Sequence, residues 1–533
     1  MTDVPVLIVG GGPVGLTASI LLSHHGIRSL LVERHPGTAV HPKARGINVR
    51  TMEMYRQLGV EQAIRDAGLP PDRAQFIVWT RTLAGEELER RMPGRQRPEN
   101  QALSPLRNCL CAQDYLEPVL RAHAETSPLA SLRFNAEMTA FSQGADGVDV
   151  TLADRAGGET RVRAHYVIAA DGAQSRIRRA LGVTMLGKED VYESVNVLFN
   201  ADLRPWTHAR PSALYFVENE RLKGTFLTIN GADRWGFLVN SLSAYGLKAS
   251  DFTPERTREL IRFAAGVPDL DVTILGIAPW TASAIVADAY GHGRIFLAGD
   301  AAHEMPPTGG FGLNTGVQDV QNLAWKLAGV LQGWAAPALL ETYDAERRPI
   351  GRAITEQSLA NSISMGRLGA AQAQGFARPE FLNETGMIFG ATYDSPAIVP
   401  DGTPPAIVDD PVTRYTPSGR PGGRAPHVWL ERDGARVSTI DLVGKRFTLL
   451  ASGDAWHAAT AELAARVPLD AFTIGNGATF ADPDGAWHAA YDVAQGGAVL
   501  VRPDGYVGWR ARGPVADPER ALRGALSTIL ARG

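Results

Sequence analysis

The sequence predicts an α/β protein: a Rossmann-like frame interrupted by a mixed β-sheet and followed by a separate C-terminal βα domain. Three observations carry this expectation. The opening 35 residues read strand, glycine turn, helix, strand, which is a βαβ unit. From about Val183 to Ile285 the texture changes to alternating strands parted by Asn, Gly and Asp turns, as in a mixed or antiparallel sheet. "GRIFLAGD", ending at Asp300, then restores a short apolar run suited to a strand buried on both faces. The frame is therefore built from two pieces of chain.

The elements follow in order. A strand over Val6–Val9 leads through glycines to a helix from Pro13 to about His25, closed by Gly26, and a second strand covers Ser29–Glu33. "RTMEMYRQLG" is helical to Gly59, the Pro- and Arg-rich stretch from about Arg90 to Arg107 reads as a surface loop, and "QDYLEPVLRAHAE" sets Leu116, Val119, Leu120 and Ala124 on one helical face. "HYVIAADG" is a buried strand, and two long helices follow Asp300, at about Leu313–Gln332 and Pro337–Asn361. A Pro-, Gly- and Arg-dense linker spans about 400–426. The expected domains are 1–182 and 286–400 for the frame, 183–285 for the inserted sheet and 427–533 for the C-terminal domain.

Bulk properties narrow the function classes. The chain has 533 residues, 44% of them hydrophobic and 21% charged, with a formal net charge of -4. This is ordinary globular composition, with no basic footprint for nucleic acid and no polybasic membrane patch. The start runs straight into a strand with no leader, and the longest apolar-rich stretch is broken by Lys326 and Gln332, so a cytoplasmic protein with no membrane span is expected. The two cysteines, Cys109 and Cys111, share one strand face and read as reduced structural thiols; no metal site is expected. The expected partner is a small molecule, to a monomer or homodimer.

Three strand ends carry the chemistry. Gly10, Gly12 and Gly15 form G-x-G-x-x-G between strand and helix, with Pro13 and Val14 opening that helix, so a pyrophosphate approaches the backbone at a helix N-terminus. Glu33, followed by Arg34, ends the next strand, 18 residues after Gly15, where a carboxylate binds ribose hydroxyls and repels a 2′-phosphate; FAD or NAD is implied, not NADP. "DGAQSRIR" places Asp171, Ser175 and Arg178 at the second strand end, either as ligands or as the cap of a short helix. "GDAAHEMPPTGGFGLNTG" gives the third, with Asp300 after a strand and a glycine-rich run opening a helix.

"GGGPVG", "DGAQSRIR" and "GRIFLAGDAAHEMPPTGGFGLNTGVQDVQNLAWKLA" together resemble the three fingerprints of the class A FAD-dependent aromatic hydroxylases, the group built like p-hydroxybenzoate hydroxylase. "RTMEMYRQLG", "YDAERRP" and "RPGGRAPHVWL" are similar to segments of the subgroup acting on polycyclic polyketides, such as aklavinone 11-hydroxylase, whose C-terminal domain is thioredoxin-like. The domain here lacks cysteine, so disulfide exchange is excluded and a packing or subunit-contact role is expected.

The resemblance implies an FAD-binding Rossmann-like domain and an inserted substrate-binding sheet. It implies that Gly12, Pro13 and Gly15 hold the FAD pyrophosphate, Glu33 the ribose, and Gln113 and Asp300 the ribityl chain. Asp171 and Arg178 would serve FAD and the nicotinamide cofactor jointly. Pro307 would stiffen the flavin wall, and Gly312, Leu313 and Asn314 would meet the pyrimidine edge through backbone amides, where a helix N-terminus favours negative charge on reduced flavin. In "HPKARGINVR", matching the mobile-flavin region, Lys43 stands where relatives often carry arginine, and Arg45 is favoured as the cofactor contact, with a solvated basic turn as the alternative.

The implied reaction uses NADPH or NADH as a transient reductant and O2 to form a C4a-hydroperoxyflavin, which oxygenates a phenolic or polycyclic aromatic substrate. Tyr215, Phe226, Phe237 and Trp280 are the candidate aromatic slot, with ordinary core packing as the alternative. No general base stands out, and His303 reads as structural. Baeyer-Villiger insertion, epoxidation, simple phenol or phenylpropionate hydroxylation and a non-enzymatic flavin-binding role stay open; a halogenase is disfavoured because W-x-W-x-I-P is missing.

Overall fold

The computed structural model describes residues 2–365, 383–475 and 477–532. Helix α1 (Pro13–His24) packs between the strand Thr2–Val9 and its parallel neighbour Ser29–Glu33. Glu159–Ala169 pairs parallel with Thr2–Val9 on the other side and with Ile295–Leu297 beyond it, while Ala130–Phe134 extends the opposite edge. Three of these strands, Thr2–Val9, Glu159–Ala169 and Ile295–Leu297, end in apolar, buried residues, which is what a sheet covered on both faces requires. Their carboxyl ends lie side by side, so residues 10, 33, 170 and 298 open on one edge.

Four further helices shape that edge. Helix α2 (Val49–Gln57) is capped by Asn48, whose side chain accepts from Thr51 N–H at 2.9 Å. Helix α3 (Gln113–Glu125) buries Leu116, Leu120 and Ala124. After the inserted sheet with its own helix α4 (Pro254–Ala265), the chain returns to the frame and enters α5 (Gly312–Leu331), then α6 (Thr342–Ser364). Helix α5 is buried almost all round, including polar residues such as Asp319, Asn322 and Lys326, whose side chains are hydrogen-bonded.

The inserted sheet runs Thr273–Ala287, Met185–Asn200, Arg234–Asn240, Lys223–Thr228, Ser212–Glu218, Phe76–Thr80, Glu87–Arg91 across its width. Its last two strands come from the region before 182, and Glu87–Arg91 lies partly within the stretch read from sequence as a loop from Arg90 onward; the pairing supplied by Phe76–Thr80 turns that charged segment into an edge strand. One face carries Val195, Val197, Phe199, Phe226, Phe237 and Val239 against Ile261 and Ala264 of α4. The other faces the frame: Asn196 donates to Pro42 O at 3.2 Å, and Leu198 packs with Ala112.

The C-terminal sheet has the order Leu469–Thr473, Phe447–Ala451, Ala498–Val501, Val507–Ala511, parallel at the first pair and antiparallel afterwards. Buried charges join it to the frame. Arg424 pairs with Glu53 of α2, and Arg502 holds Glu346 of α6 bidentately at 2.6 and 2.8 Å. Lys326 Nζ of α5 donates to the same Glu346 carboxylate at 2.8 Å, and Asn322 of α5 donates to Asp504 at 3.2 Å. Both cysteines are buried, and burial pushes their thiols up to about 11 for Cys109 and about 12 for Cys111.

Candidate active site

The turn after the first strand needs its glycines. Gly10 sits at φ +113°, and a Cβ there would stand 2.2 Å from Ala170 O; a Cβ on Gly15 would stand 2.0 Å from Gly10 O. Helix α1 starts at Pro13 with no side-chain cap, so the first-turn amides of Val14 and Gly15 face the open edge. Glu33 lies against this turn, accepting Gly11 N–H at 2.7 Å through one oxygen and His35 N–H at 2.8 Å through the other. Arg34 beside it is exposed.

The third strand end is the turn Gly299–Ala301. Asp300 stands exposed at this edge, its carboxylate making no hydrogen bond to the described residues, although the protein packed behind it withholds solvent from one side. Burial raises its carboxyl above the usual range, against the opposing charges of His303, Lys43 and Arg178. Beyond it, Gly310 N–H donates to Pro307 O at 3.0 Å, and Ser358 of α6 donates to Pro306 O at 2.6 Å and Thr308 O at 2.9 Å, which fixes the proline wall. Helix α5 then opens at Gly312, uncapped by any side chain, with the amides of Gly312, Leu313 and Asn314 ahead of its first helical bond from Thr315 to Phe311. The Asn314 side chain bonds Gly46 O, Gly310 O and Asn48 N–H, tying the chain segment before α2 to this turn.

A buried cluster underlies the turn. Asp319 accepts from His303 Nε2 at 2.7 Å, Arg347 Nε at 2.9 Å and Gly299 N–H at 3.2 Å. Burial alone would raise its carboxyl, but the His303 and Arg347 charges outweigh burial and hold it below the usual range. Next to Asp300, Glu304 is pushed up to about 7 by burial and by Asp300, with Arg178 opposing from 3.8 Å. His303 is thus structural, locked at 0% exposure.

Several expected contacts lie elsewhere. Arg45 turns to the inserted sheet, donating to Thr228 O at 2.8 Å and Ala213 O at 2.7 Å, while exposed Lys43 of the same segment is the cation that acts on Asp300. Asp171 caps the short helix Arg176–Ala180 through Arg176 N–H at 2.9 Å, and Arg178 donates to Ala173 O at 2.7 Å and Ala301 O at 3.1 Å. Arg178 thereby braces the turn bearing Asp300. Gln113 opens α3 and accepts from Lys43 N–H at 3.2 Å.

Tyr215, Phe226 and Phe237 are corrected by strand parity. Their side chains are on the α4 side of the sheet, fully buried, so they form core and cannot line the cleft. Trp280 is on the cleft side, opposite Ser194 and edge-on to Tyr192 at 6.2 Å. The same face carries Asn196, Leu238, Thr225, Phe216 and Trp79 in one register row, with the last two rings stacked at 5.2 Å. Sequence reasoning picked aromatics by type; the alternation within each strand, once anchored by one buried face, finds this row.

Asp319, Asn314 and Arg347 lie within motifs that gave no hint of these contacts, and Glu117 and Ser358 lie outside any ligand motif. No group of His, Cys, Asp and Glu among the described residues is arranged to hold a metal ion, and no described helix is long and apolar enough to cross a membrane.

The comparisons agree with this geometry. A model described as FAD binding domain matches residues 3–358, and one described as aromatic-ring hydroxylase, C-terminal, matches 418–533. Among curated proteins, tetracenomycin B2 monooxygenase-dioxygenase of Streptomyces olivaceus is 41% identical, with 99% of each chain covered, and 4-methyl-5-nitrocatechol 5-monooxygenase of a Burkholderia species is 40% identical, covering 99% of this chain and 98% of that protein. The solved ternary complex of aklavinone-11 hydroxylase with FAD and aklavinone superposes at a TM-score of 0.91 and 36% identity over the whole of both chains. The family match over residues 3–358 and relatives 40–41% identical across nearly the whole of both chains, on a fold whose first glycine turn admits no Cβ, place the chain among the FAD-dependent aromatic-ring hydroxylases.

Proposed function

We propose that the chain uses a nicotinamide cofactor and O2 to hydroxylate a planar, polycyclic aromatic substrate of the polyketide type. The observation that carries this is the cleft-side row from Asn196 to Trp79, which crosses five strands of the inserted sheet. At a strand spacing of about 4.8 Å, such a row offers roughly 19 Å of floor, longer than a single ring needs. The similarity to proteins named for tetracenomycin and aklavinone supports the same substrate class.

FAD accepts electrons from the nicotinamide and activates oxygen when bound. Residues 1–182 and 286–400 hold it: the Gly10–Gly15 turn takes the pyrophosphate, Glu33 the ribose, and Gln113 and Asp300 the ribityl chain. The first-turn amides of α5 and its dipole favour negative charge at the flavin's pyrimidine edge, which eases reduction. Residues 183–285 present the substrate. Ser194, Asn196, Thr225 and Asn240 are uncharged polar groups on that face, which also carries Asn200 and Arg234 further along the same strands, and they orient phenol oxygens by hydrogen bonding while the row excludes water. The C-terminal domain, 427–533, is of thioredoxin-like order and acts as structure.

The 40% identity to a nitrocatechol monooxygenase supports a second reading, a single-ring phenol. Purified protein is expected to be yellow and to oxidise NADPH or NADH faster with a tetracyclic polyketide phenol than with nitrocatechols or phenylpropionates, giving a product heavier by one oxygen. Stimulation by the single-ring panel alone would overturn the polyketide assignment; a lactone by NMR would replace hydroxylation with insertion.

A further inference from the structure

Glu117 is a buried carboxylate with no role in the account above. It lies on α3, one turn after Gln113, with only 2% of its surface exposed. One oxygen accepts Ala39 N–H at 2.5 Å, and the other accepts Gln113 Nε2 at 2.6 Å. Gln113 in turn accepts Lys43 N–H, so this carboxylate fastens the segment 34–43 at two points. The Gln113-side oxygen also approaches the phosphate turn, standing 4.0 Å from where a Cβ on Gly12 would be.

The charges facing Glu117 are few. Glu33, at the end of its strand, repels it, and Lys43 of the fastened segment attracts it. The phosphate turn and the start of α1 contribute only Gly, Pro, Val, Leu and Thr residues, and Gln113 is neutral. Burial is the largest influence and raises the carboxyl above its ordinary range, despite the two hydrogen bonds it accepts. A pyrophosphate arriving at Gly12 adds negative charge at short range in a poorly solvated site, which favours the neutral acid further.

We propose that Glu117 carries a proton when FAD is bound, so that cofactor binding draws one proton from solution and keeps the 34–43 segment fastened beside the phosphate turn. The balance is simple: one carboxylate oxygen gains a proton from solvent at the expense of the hydrogen bond it accepts, no covalent bond breaks, and the unprotonated oxygen remains an acceptor for the fastened segment. The proposal rests on the Gly10–Gly15 turn being the pyrophosphate seat.

The test is calorimetric titration of FAD into full-length protein stripped of flavin, in buffers of differing ionisation enthalpy. Wild type is expected to take up close to one proton per FAD at mildly alkaline pH, with Kd weakening about tenfold per pH unit once Glu117 ionises in the free protein. Glu117→Gln, a neutral isostere, is expected to abolish the uptake and flatten the pH dependence. Unchanged uptake in Glu117→Gln assigns the proton to another group, Asp300 or Glu304 being nearest the cofactor, and overturns the proposal, as does wild-type binding without uptake. Riboflavin, which lacks the pyrophosphate, separates the two layers: binding with the same proton uptake as FAD overturns the assignment of the seat, whereas FAD-specific uptake supports it. Should Glu117→Gln fail to fold, the FAD-bound minus FAD-free infrared difference spectrum of wild type must show a new protonated-carboxyl C=O band, and its absence overturns the proposal.

Discussion

At the scale of single residues, the sheet separates two populations of side chain that the sequence shows as one. Phe237 and Leu238 are neighbours in one strand, yet Phe237 packs against α4 and Leu238 faces the cleft. Phe237→Ala is expected to cost about 3–5 kcal/mol of stability, read as a lower urea midpoint, while flavin content per folded molecule holds. Leu238→Ala or Trp280→Ala is expected to raise KM for the aromatic substrate several-fold with a small change in midpoint. Glu304 adds a pH signature. Its carboxyl is raised to about 7 in the folded chain, so the folded state binds more protons than the unfolded state between about 4.5 and 7. Its contribution is fully present below the unfolded value and is lost as pH rises through 7, up to about 3 kcal/mol for the full shift. Thermal unfolding of flavin-free Glu304→Gln, scanned against pH, is expected to lack that decline.

At the scale of elements, α5 concentrates the design. Its first turn offers amides to the cofactor, Asn314 holds the segment before α2, and Asp319 five residues on holds the turn of Asp300 from behind. Asn314→Ala removes three hydrogen bonds at about 1 kcal/mol each, and FAD affinity by fluorescence titration is expected to fall tenfold or more with helix content unchanged. Asp319→Asn leaves Arg347 and His303 without their shared carboxylate. Because the native carboxyl is depressed, its stabilisation exists above the unfolded value near 4 and disappears as pH falls through the folded one, so the acid limb of the wild-type stability curve is expected to flatten in the variant. The frame was legible because glycine spacing, a terminal carboxylate and buried apolar runs are local signals. The first strand, the first helix and Ser29–Glu33 lie where their periodicity put them, and Asp300 opens on the expected edge. Arg45, Asp171 and Arg178 show why sequence leaves such positions open: a charged side chain beside a ligand motif bonds backbone carbonyls or caps a helix, as these three do, as readily as it binds a ligand.

At the scale of the molecule, the C-terminal domain completes charges that the frame cannot satisfy alone. Removing residues 418–533 strips Glu53 of Arg424 and leaves it Arg50, and strips Glu346 of Arg502 and leaves it Lys326, so each buried carboxylate loses one of two cations and part of the roughly 3–5 kcal/mol a full loss costs. A chain ending before residue 418 is therefore expected to be insoluble when expressed, and Arg502→Met in the full chain to lower the unfolding midpoint far more than the double variant Glu346→Gln with Arg502→Met. The inserted sheet is attached in a different manner. Arg45 fastens it through the carbonyls of Thr228 and Ala213, groups that every amino acid supplies. The anchor is consequently indifferent to which side chains fill those positions or line the cleft. Substitution of the side chains along the cleft face is therefore expected to leave this joint between sheet and frame intact.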